Sequence, residues 1–149
     1  MNKRQKSILI DFTAVIVITI VAVVAMINFK DWVNRAEAMR AMEHLGKIVI
    51  KYRSNHGALP PESYVETIKK TLPGHPRLGR MHYRGRWIGF DSPDDAILAY
   101  TEKKYRSLIL NHGFIVLRRK GQVEWMEKQE FERLLAPQQS PLEIQMMQD

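Results

Sequence analysis

The sequence predicts an α+β protein in which a long N-terminal helix, first transmembrane and then extracytoplasmic, packs on a small, mainly antiparallel β-sheet. Residues 8–27 form an almost unbroken apolar run, and apolar residues then recur at every third or fourth position as far as residue 52. Beyond residue 80 the pattern changes to short apolar runs separated by turn signals, which is typical of strands. Since a small sheet alone would leave one face bare, we expect the outer half of the helix to cover it.

The composition limits the classes of function. The chain has 149 residues, enough for one small domain behind an anchor. It contains no cysteine, which excludes disulfides, thiolate metal sites and a cysteine nucleophile. The formal net charge is +7, of which Lys3, Arg4 and Lys6 supply three units. The remaining excess is spread along the chain, so nucleic acid is not the expected partner.

The apolar run reads ILIDFTAVIVITIVAVVAMI, about the length needed to cross roughly 30 Å of hydrocarbon at 1.5 Å per residue. We therefore assign residues 1–7 to a basic cytoplasmic leader and residues 8–29 to a transmembrane helix. A cleaved secretory signal is the less favoured interpretation, because the run is longer than the usual apolar region of such signals. The basic flank precedes the helix and mixed charges follow it. The positive-inside rule thus places the N-terminus in the cytoplasm and the C-terminal domain outside it. We expect a single-pass protein of the inner (cytoplasmic) membrane.

Asp11 is the only charged residue within the apolar run. It lies one turn inside the predicted cytoplasmic end, where a carboxylate is costly unless it reaches water or finds a partner. Two interpretations remain open. The side chain extends to the interface, or it pairs with a cation of a neighbouring subunit.

Behind the anchor, we expect the helix to continue to about Ser54. Its predicted apolar stripe comprises Trp32, Ala36, Met39, Met42, Leu45, Val49 and Tyr52. Asn55-His56-Gly57 supplies C-cap residues, and Pro60-Pro61 prevents continuation.

The rest of the predicted domain, residues 30–135, alternates short elements with turns. A short helix is expected over residues 62–72, followed by a strand or hairpin turning at Gly85. Three strands are expected at residues 96–100, 114–117 and 122–126, the last two joined by a turn that ends at Gly121. A terminal helix is expected over residues 127–135, and residues 136–149 are expected to form a flexible tail.

Three segments carry a family resemblance. Leu9-Ile10-Asp11 opens the apolar helix behind the short basic leader, residues 51–60 read KYRSNHGALP, and residues 91–135 contain PDDAILAY, VL and GQVEW. The first resembles the Leu-Ile-Glu of the type IV pilin and type II secretion pseudopilin family. The second is similar to that family's helix exit, a tyrosine-containing turn followed by Asn-x-Gly and proline. The third is similar to the C-terminal hairpin of certain environmental pseudopilin-like proteins.

This resemblance implies a pilin-like fold and a structural function as a subunit of a type II secretion or type IV pilus-like assembly, with other pilin-like or secretion-system subunits as partners. It implies leader cleavage between Lys6 and Ser7, after which Asp11 would neutralise the N-terminal amine of a neighbouring subunit. Lys6 stands where the family has glycine, and Ser7 where it usually has phenylalanine. The alternative is an uncleaved, single-pass anchored domain that binds an extracytoplasmic partner without polymerising.

Other chemistry has little support in the sequence. There is no HExxH, GxSxG, Walker or GxGxxG motif, so we do not expect an enzyme. Asp91, Asp94 and Asp95 could offer oxygens to calcium, which some pseudopilins bind near the C-terminal sheet, but an Asp-rich turn is more often only a turn. The basic segment contains Arg77, Arg80, Arg84 and Arg86 around His82, Tyr83 and Trp87. We interpret it as the solvated face of a strand in preference to a nucleic-acid site.

Overall fold

The computed structural model describes residues 2–89, 91–107 and 109–148. It confirms the α+β class, with a long N-terminal helix packed against a small antiparallel sheet of four strands. The helices are α1 (Lys3–His56), α2 (Glu62–Lys69), α3 (His75–Leu78), α4 (Lys128–Leu135) and α5 (Pro141–Gln148), with a 3₁₀ turn at Ala136–Gln138. The strands are β1 (Met81–Tyr83), β2 (Ile97–Lys103), β3 (Gly113–Arg118) and β4 (Val123–Glu127).

Helix α1 is continuous over 54 residues, roughly 80 Å at 1.5 Å per residue. The backbone N–H of Asn2 donates to Gln5 Oε1 at 3.0 Å, just before its first turn. At the other end Gly57 has a φ of 71°, and its N–H donates to the Arg53 carbonyl at 2.8 Å. A positive φ costs glycine little, which explains why the helix stops here, close to the predicted position.

The two halves of α1 have different surroundings. Its most apolar window has a mean hydropathy of 2.8 and is not buried at all, so this helix is long and apolar enough to cross a membrane. The outer half buries a stripe at helical spacing: Ala38, Ala41, Met42, Leu45, Gly46 and Val49. The predicted stripe was therefore right at its centre but wrong at Trp32, which is 59 % exposed.

The sheet has the order β1-β2-β3-β4, and every neighbouring pair is antiparallel. The predicted hairpin turn between β3 and β4 is confirmed, with Gly121 at a φ of 92°. Of the predicted strand or hairpin turning at Gly85, the strand is confirmed as β1, and the hairpin is wrong. Strand β1 ends at Tyr83 and pairs with β2 (His82 opposite Tyr100), because the chain turns at residues 85–87 without forming a returning strand.

Both faces of the sheet are covered. The buried stripe of α1 packs on one face with Leu98, Ala99, Ile115 and Leu117. On the other face, Phe131 and Leu135 of α4 pack with Ile97, Tyr100, Val116 and Met126. The sheet is thus the middle layer of three.

The C-terminal segment differs from the predicted flexible tail. After the 3₁₀ turn, α5 returns towards the sheet. The Met147 side chain packs at the second sheet face, where the Tyr100 hydroxyl lies 3.4 Å from its sulfur. Glu143 is fully buried. Local composition predicted a loose tail because the contacts that order it are distant in sequence.

We expect Gly113→Ala to lower the free energy of unfolding by about 1–3 kcal/mol, as overpacking does. A Cβ at Gly113 would overlap the Met126 carbonyl oxygen and lie 2.6 Å from the Trp125 ring. Gly89→Ala is the matched control, since the nearest atom would be 3.9 Å away. Denaturant unfolding of the full chain in detergent, followed by tryptophan fluorescence, measures both; equal effects would contradict the packing of β3 on β4.

Candidate functional site

The apolar half of α1, residues 8–27, is the first candidate site, and Asp11 is the one charged residue in that range. The hydroxyls of Thr13 and Thr19 donate to the carbonyls of Leu9 and Val15, each at 2.8 Å. These polar groups are therefore satisfied within the helix. Asp11 is exposed and makes no ion pair with another residue of the described ranges. Unlike the threonine hydroxyls, the Asp11 carboxylate can therefore take a partner from another molecule.

The residues of the predicted cleavage point, Lys6 and Ser7, lie within α1. The Lys6 N–H donates to the Asn2 carbonyl at 3.1 Å. The peptide bond between Lys6 and Ser7 is thus part of the first turns of α1, the helix that also carries Asp11. Lys6, Ser7 and Asp11 thus lie in one helical segment.

Two of the three aspartates considered for calcium, Asp94 and Asp95, lie beside arginines. Asp94 Oδ1 lies 3.4 Å from Arg119 Nη1 and 4.0 Å from Arg53 Nη1. The Arg118 guanidinium donates to the Asp95 backbone carbonyl at 2.6 Å. Arginines therefore supply the positive charge that calcium would bring. Across residues 2–89, 91–107 and 109–148, no group of three or more His, Asp or Glu side chains is placed to hold a metal ion.

The interpretation of the basic segment as a solvated strand face is wrong for Arg84, which is 1 % exposed. Its other members act separately. Arg77 pairs with Glu37 at 3.1 Å, and the Arg86 guanidinium lies 4.9 Å from the Trp87 ring centre. One of the four arginines thus belongs to the interior of the protein.

Arg84 forms a buried ion pair with Glu143. Its Nε and Nη2 donate to the two carboxylate oxygens at 2.5 and 3.0 Å. Nη1 donates to the Ile97 carbonyl at 2.7 Å, and Nη2 to the Gln138 carbonyl at 2.8 Å. The Gln138 Oε1 atom accepts a longer bond from Nη1 at 3.5 Å. All the guanidinium N–H groups therefore have acceptors, as a buried arginine requires.

Sequence reasoning missed this pair because its members are 59 residues apart. A local signal was nevertheless present. Ser140-Pro141-Leu142-Glu143 has the spacing of a capping box with proline at the first helical position. The Glu143 N–H donates to the Ser140 hydroxyl at 3.2 Å, as in that motif. The glutamate carboxylate, however, turns to Arg84, so the motif could have predicted α5 but not its contact.

The pKa shifts of the domain follow from packing. Burial raises the pKa of Tyr105 to about 12. Burial, and then the charge of Arg80, lowers the pKa of His82. Burial is also the main cause that raises the pKa of Tyr83, whose hydroxyl donates to the Pro60 carbonyl at 2.9 Å. These shifts therefore have a structural origin in the domain core.

Compared with protein-family models, with curated proteins and with solved structures, the chain matches none of them. The features of the chain that bear on its function are the bare apolar half of α1, Asp11 and the domain that α1 carries.

We expect Glu143→Ala to lower the free energy of unfolding by about 3–5 kcal/mol, because it leaves a buried guanidinium without its counter-ion. Glu132→Ala is the matched control on α4, since its pair with Lys128 is exposed and worth less than about 1 kcal/mol. Denaturant unfolding of the full chain in detergent measures both.

The double variant Arg84→Met with Glu143→Leu removes both charges and should recover most of the loss. Equal stability of Glu143→Ala and Glu132→Ala would contradict a buried pair.

Proposed function

We propose that this protein is a pseudopilin-like structural subunit of a type II secretion or type IV pilus-like assembly. In this proposal residues 8–29 anchor it in the inner membrane, the N-terminus is cytoplasmic and the domain from residue 30 onwards is extracytoplasmic. The observation that carries the proposal is the division of α1, whose first half is apolar and bare while its second half forms the spine of a small domain.

The bare apolar surface of α1 is costly in water. Side chains such as Ile10, Val15 and Ile18 are more than 60 % exposed. Each large aliphatic side chain left in water forgoes about 1.5–3 kcal/mol of burial. Lipid chains or the helices of neighbouring subunits can supply that burial, and an assembly of pilin-like subunits uses both.

Asp11 favours the assembly over a plain anchor. A carboxylate inside hydrocarbon needs a cation, and none of the described residues pairs with it within the chain. The family resemblance assigns the partner as the N-terminal amine that leader removal creates on a neighbour. Low dielectric would strengthen such a pair.

A second function is favoured by Lys6, which stands where the pilin-like family has glycine. In this alternative the leader stays on and the protein remains a single-pass anchored domain. The domain then binds an extracytoplasmic partner without polymerising. The two proposals differ in the N-terminus of the mature chain and in the contacts between apolar helices.

Cysteine cross-linking in native membranes tests assembly, because the natural chain contains no cysteine. Val15→Cys and Val17→Cys together place thiols on opposite sides of α1, so each subunit can link to two neighbours. We expect mild oxidation to give a ladder of dimers, trimers and larger species on a denaturing gel. Intact mass of the same sample is expected to show a chain that begins at Ser7.

Asp11→Ala in the double-cysteine background should abolish the ladder, since the amine of the neighbour loses its counter-ion. Thr13→Ala is the matched control and should keep it, because that hydroxyl bonds only to its own helix. A chain that still begins at Met1, with no ladder, would replace the assembly proposal by the anchored-domain alternative.

A further inference from the structure

The loop between β2 and β3, residues 104–112, runs back along α1 towards its apolar half. The Oδ2 atom of Asp31 accepts the backbone N–H groups of Arg106 and Ser107 at 2.9 and 2.8 Å. The Ser107 hydroxyl also contacts the side-chain oxygen of Asn28. Two α1 residues, one turn apart, therefore hold the loop. We call this segment, without Leu108, which lies outside the described residues, the β2–β3 loop.

The β2–β3 loop has its own internal order. The Ser107 Oγ atom accepts the N–H groups of Ile109 and Leu110 at 3.0 and 3.1 Å. At its base, the Tyr105 N–H donates to His112 Nδ1 at 3.0 Å. The Tyr105 side chain is buried, and its ring lies 5.8 Å from that of Trp125. Contacts on both sides of Ile109, the tip of the loop, thus fix the position of the tip relative to α1.

The height of the loop along α1 coincides with the end of the apolar run. Asn28 belongs to the last turn of the predicted span, residues 8–29. Among residues 2–30, only Val24 and Asn28 are partly shielded from solvent. They lie one turn apart on the face of α1 that carries Asp31. The loop therefore reaches the level at which a bilayer around α1 would begin.

The chemistry of this level matches a membrane–water interface. Ile109 at the tip is 76 % exposed, as bare as Met26 within the span at 71 %. Exposed Lys104 and Arg106 precede the tip, and exposed Lys30 lies at the same height on α1. Phe29 and Trp32, with ring centres 6.3 Å apart, are exposed at this level too. Apolar tips, aromatic rings and cations together are typical of protein surfaces that lie in lipid headgroups.

We propose that the β2–β3 loop is a membrane-contact element that inserts Ile109 into the headgroup region of the outer leaflet of the same bilayer that α1 crosses. This inference rests on the proposed anchoring by residues 8–29, but not on assembly into a filament. A single exposed isoleucine is ordinary on a soluble surface. Here its position beside the apolar run, and the two α1 residues that hold the loop there, single it out.

Depth-dependent quenching tests the contact in the full chain. Ile109→Cys, the sole cysteine, is labelled with an environment-sensitive fluorophore and reconstituted in phosphatidylcholine–phosphatidylglycerol vesicles. Bromine atoms on the lipids are placed either near the headgroup or near the chain ends. Two positions serve as matched references. Ile20→Cys lies in the middle of the span, and exposed Ser54→Cys lies near the far end of α1.

We expect the label at position 109 to lose emission with shallow bromines, the label at position 20 to lose emission with deep bromines, and the label at position 54 to be unaffected by either. If position 109 behaves like position 54 while position 20 is quenched, the contact is overturned and the anchor stands. If the label at position 20 is not quenched, both the proposed membrane anchoring by residues 8–29 and the proposed membrane contact of the loop are wrong. A blue-shifted but unquenched label at position 109 would mean a second protein copy covers the loop, which also overturns the proposal.

The positioning role of Asp31 has its own readout. Asp31→Ala removes the acceptor of both loop N–H groups, so shallow quenching at position 109 should fall while deep quenching at position 20 is unchanged. Asp31→Asn keeps a carbonyl oxygen and should retain most of the quenching. Full quenching in Asp31→Ala would show that α1 does not set the height of the loop.

Discussion

The structure depends on the packing of one helical stripe against one face of the sheet. The missing side chain at Gly46 lets the helix approach β3 closely, because a Cβ there would lie 2.8 Å from a Leu117 methyl group. No proline or glycine interrupts α1 before Gly46. The domain and the apolar half are therefore parts of one stiff rod. Any partner of the apolar half, lipid or protein, sets the orientation of the whole domain.

A second long-range contact completes the layer on the far face of the sheet. The charges of Arg84 and Glu143 are fully withdrawn from water, which is costly unless every donor finds an acceptor. The acceptors come from β2, from the 3₁₀ turn and from α5. Apolar contacts such as that of Met147 would tolerate several placements of α5. The directional hydrogen bonds of the Arg84 guanidinium allow only one placement. The pair thus specifies where the C-terminal segment lies more than it adds to stability.

The sequence predicted what local patterns determine. The stop of α1 at Gly57 and the turn at Gly121 follow from positive φ values that glycine tolerates, and the strand positions follow from short apolar runs. Local patterns could not show that β1 pairs with β2, since that pairing joins residues 16 to 20 positions apart. Nor could they show that Arg84 is buried. Within the candidate sites, Asp11 lies on the bare apolar half of α1, and the role predicted for it stays a prediction. Asp94 lies beside Arg119 and Arg53, a contact that local patterns could not show because these residues are distant in sequence.

The leader and Asp11 are linked by simple geometry on α1. Lys3 and Arg4 precede Asp11 by eight and seven residues, so they lie on its side of the helix about two turns away. In the proposed function, the intact leader keeps this cationic flank, and the interfacial water around it, close to the Asp11 carboxylate. Removal of the leader would take those charges away and create a new amine at Ser7. The cation available to Asp11 would then be the amine of another subunit. In the proposed function, cleavage therefore converts a carboxylate that a lone anchor tolerates into one that requires a neighbour.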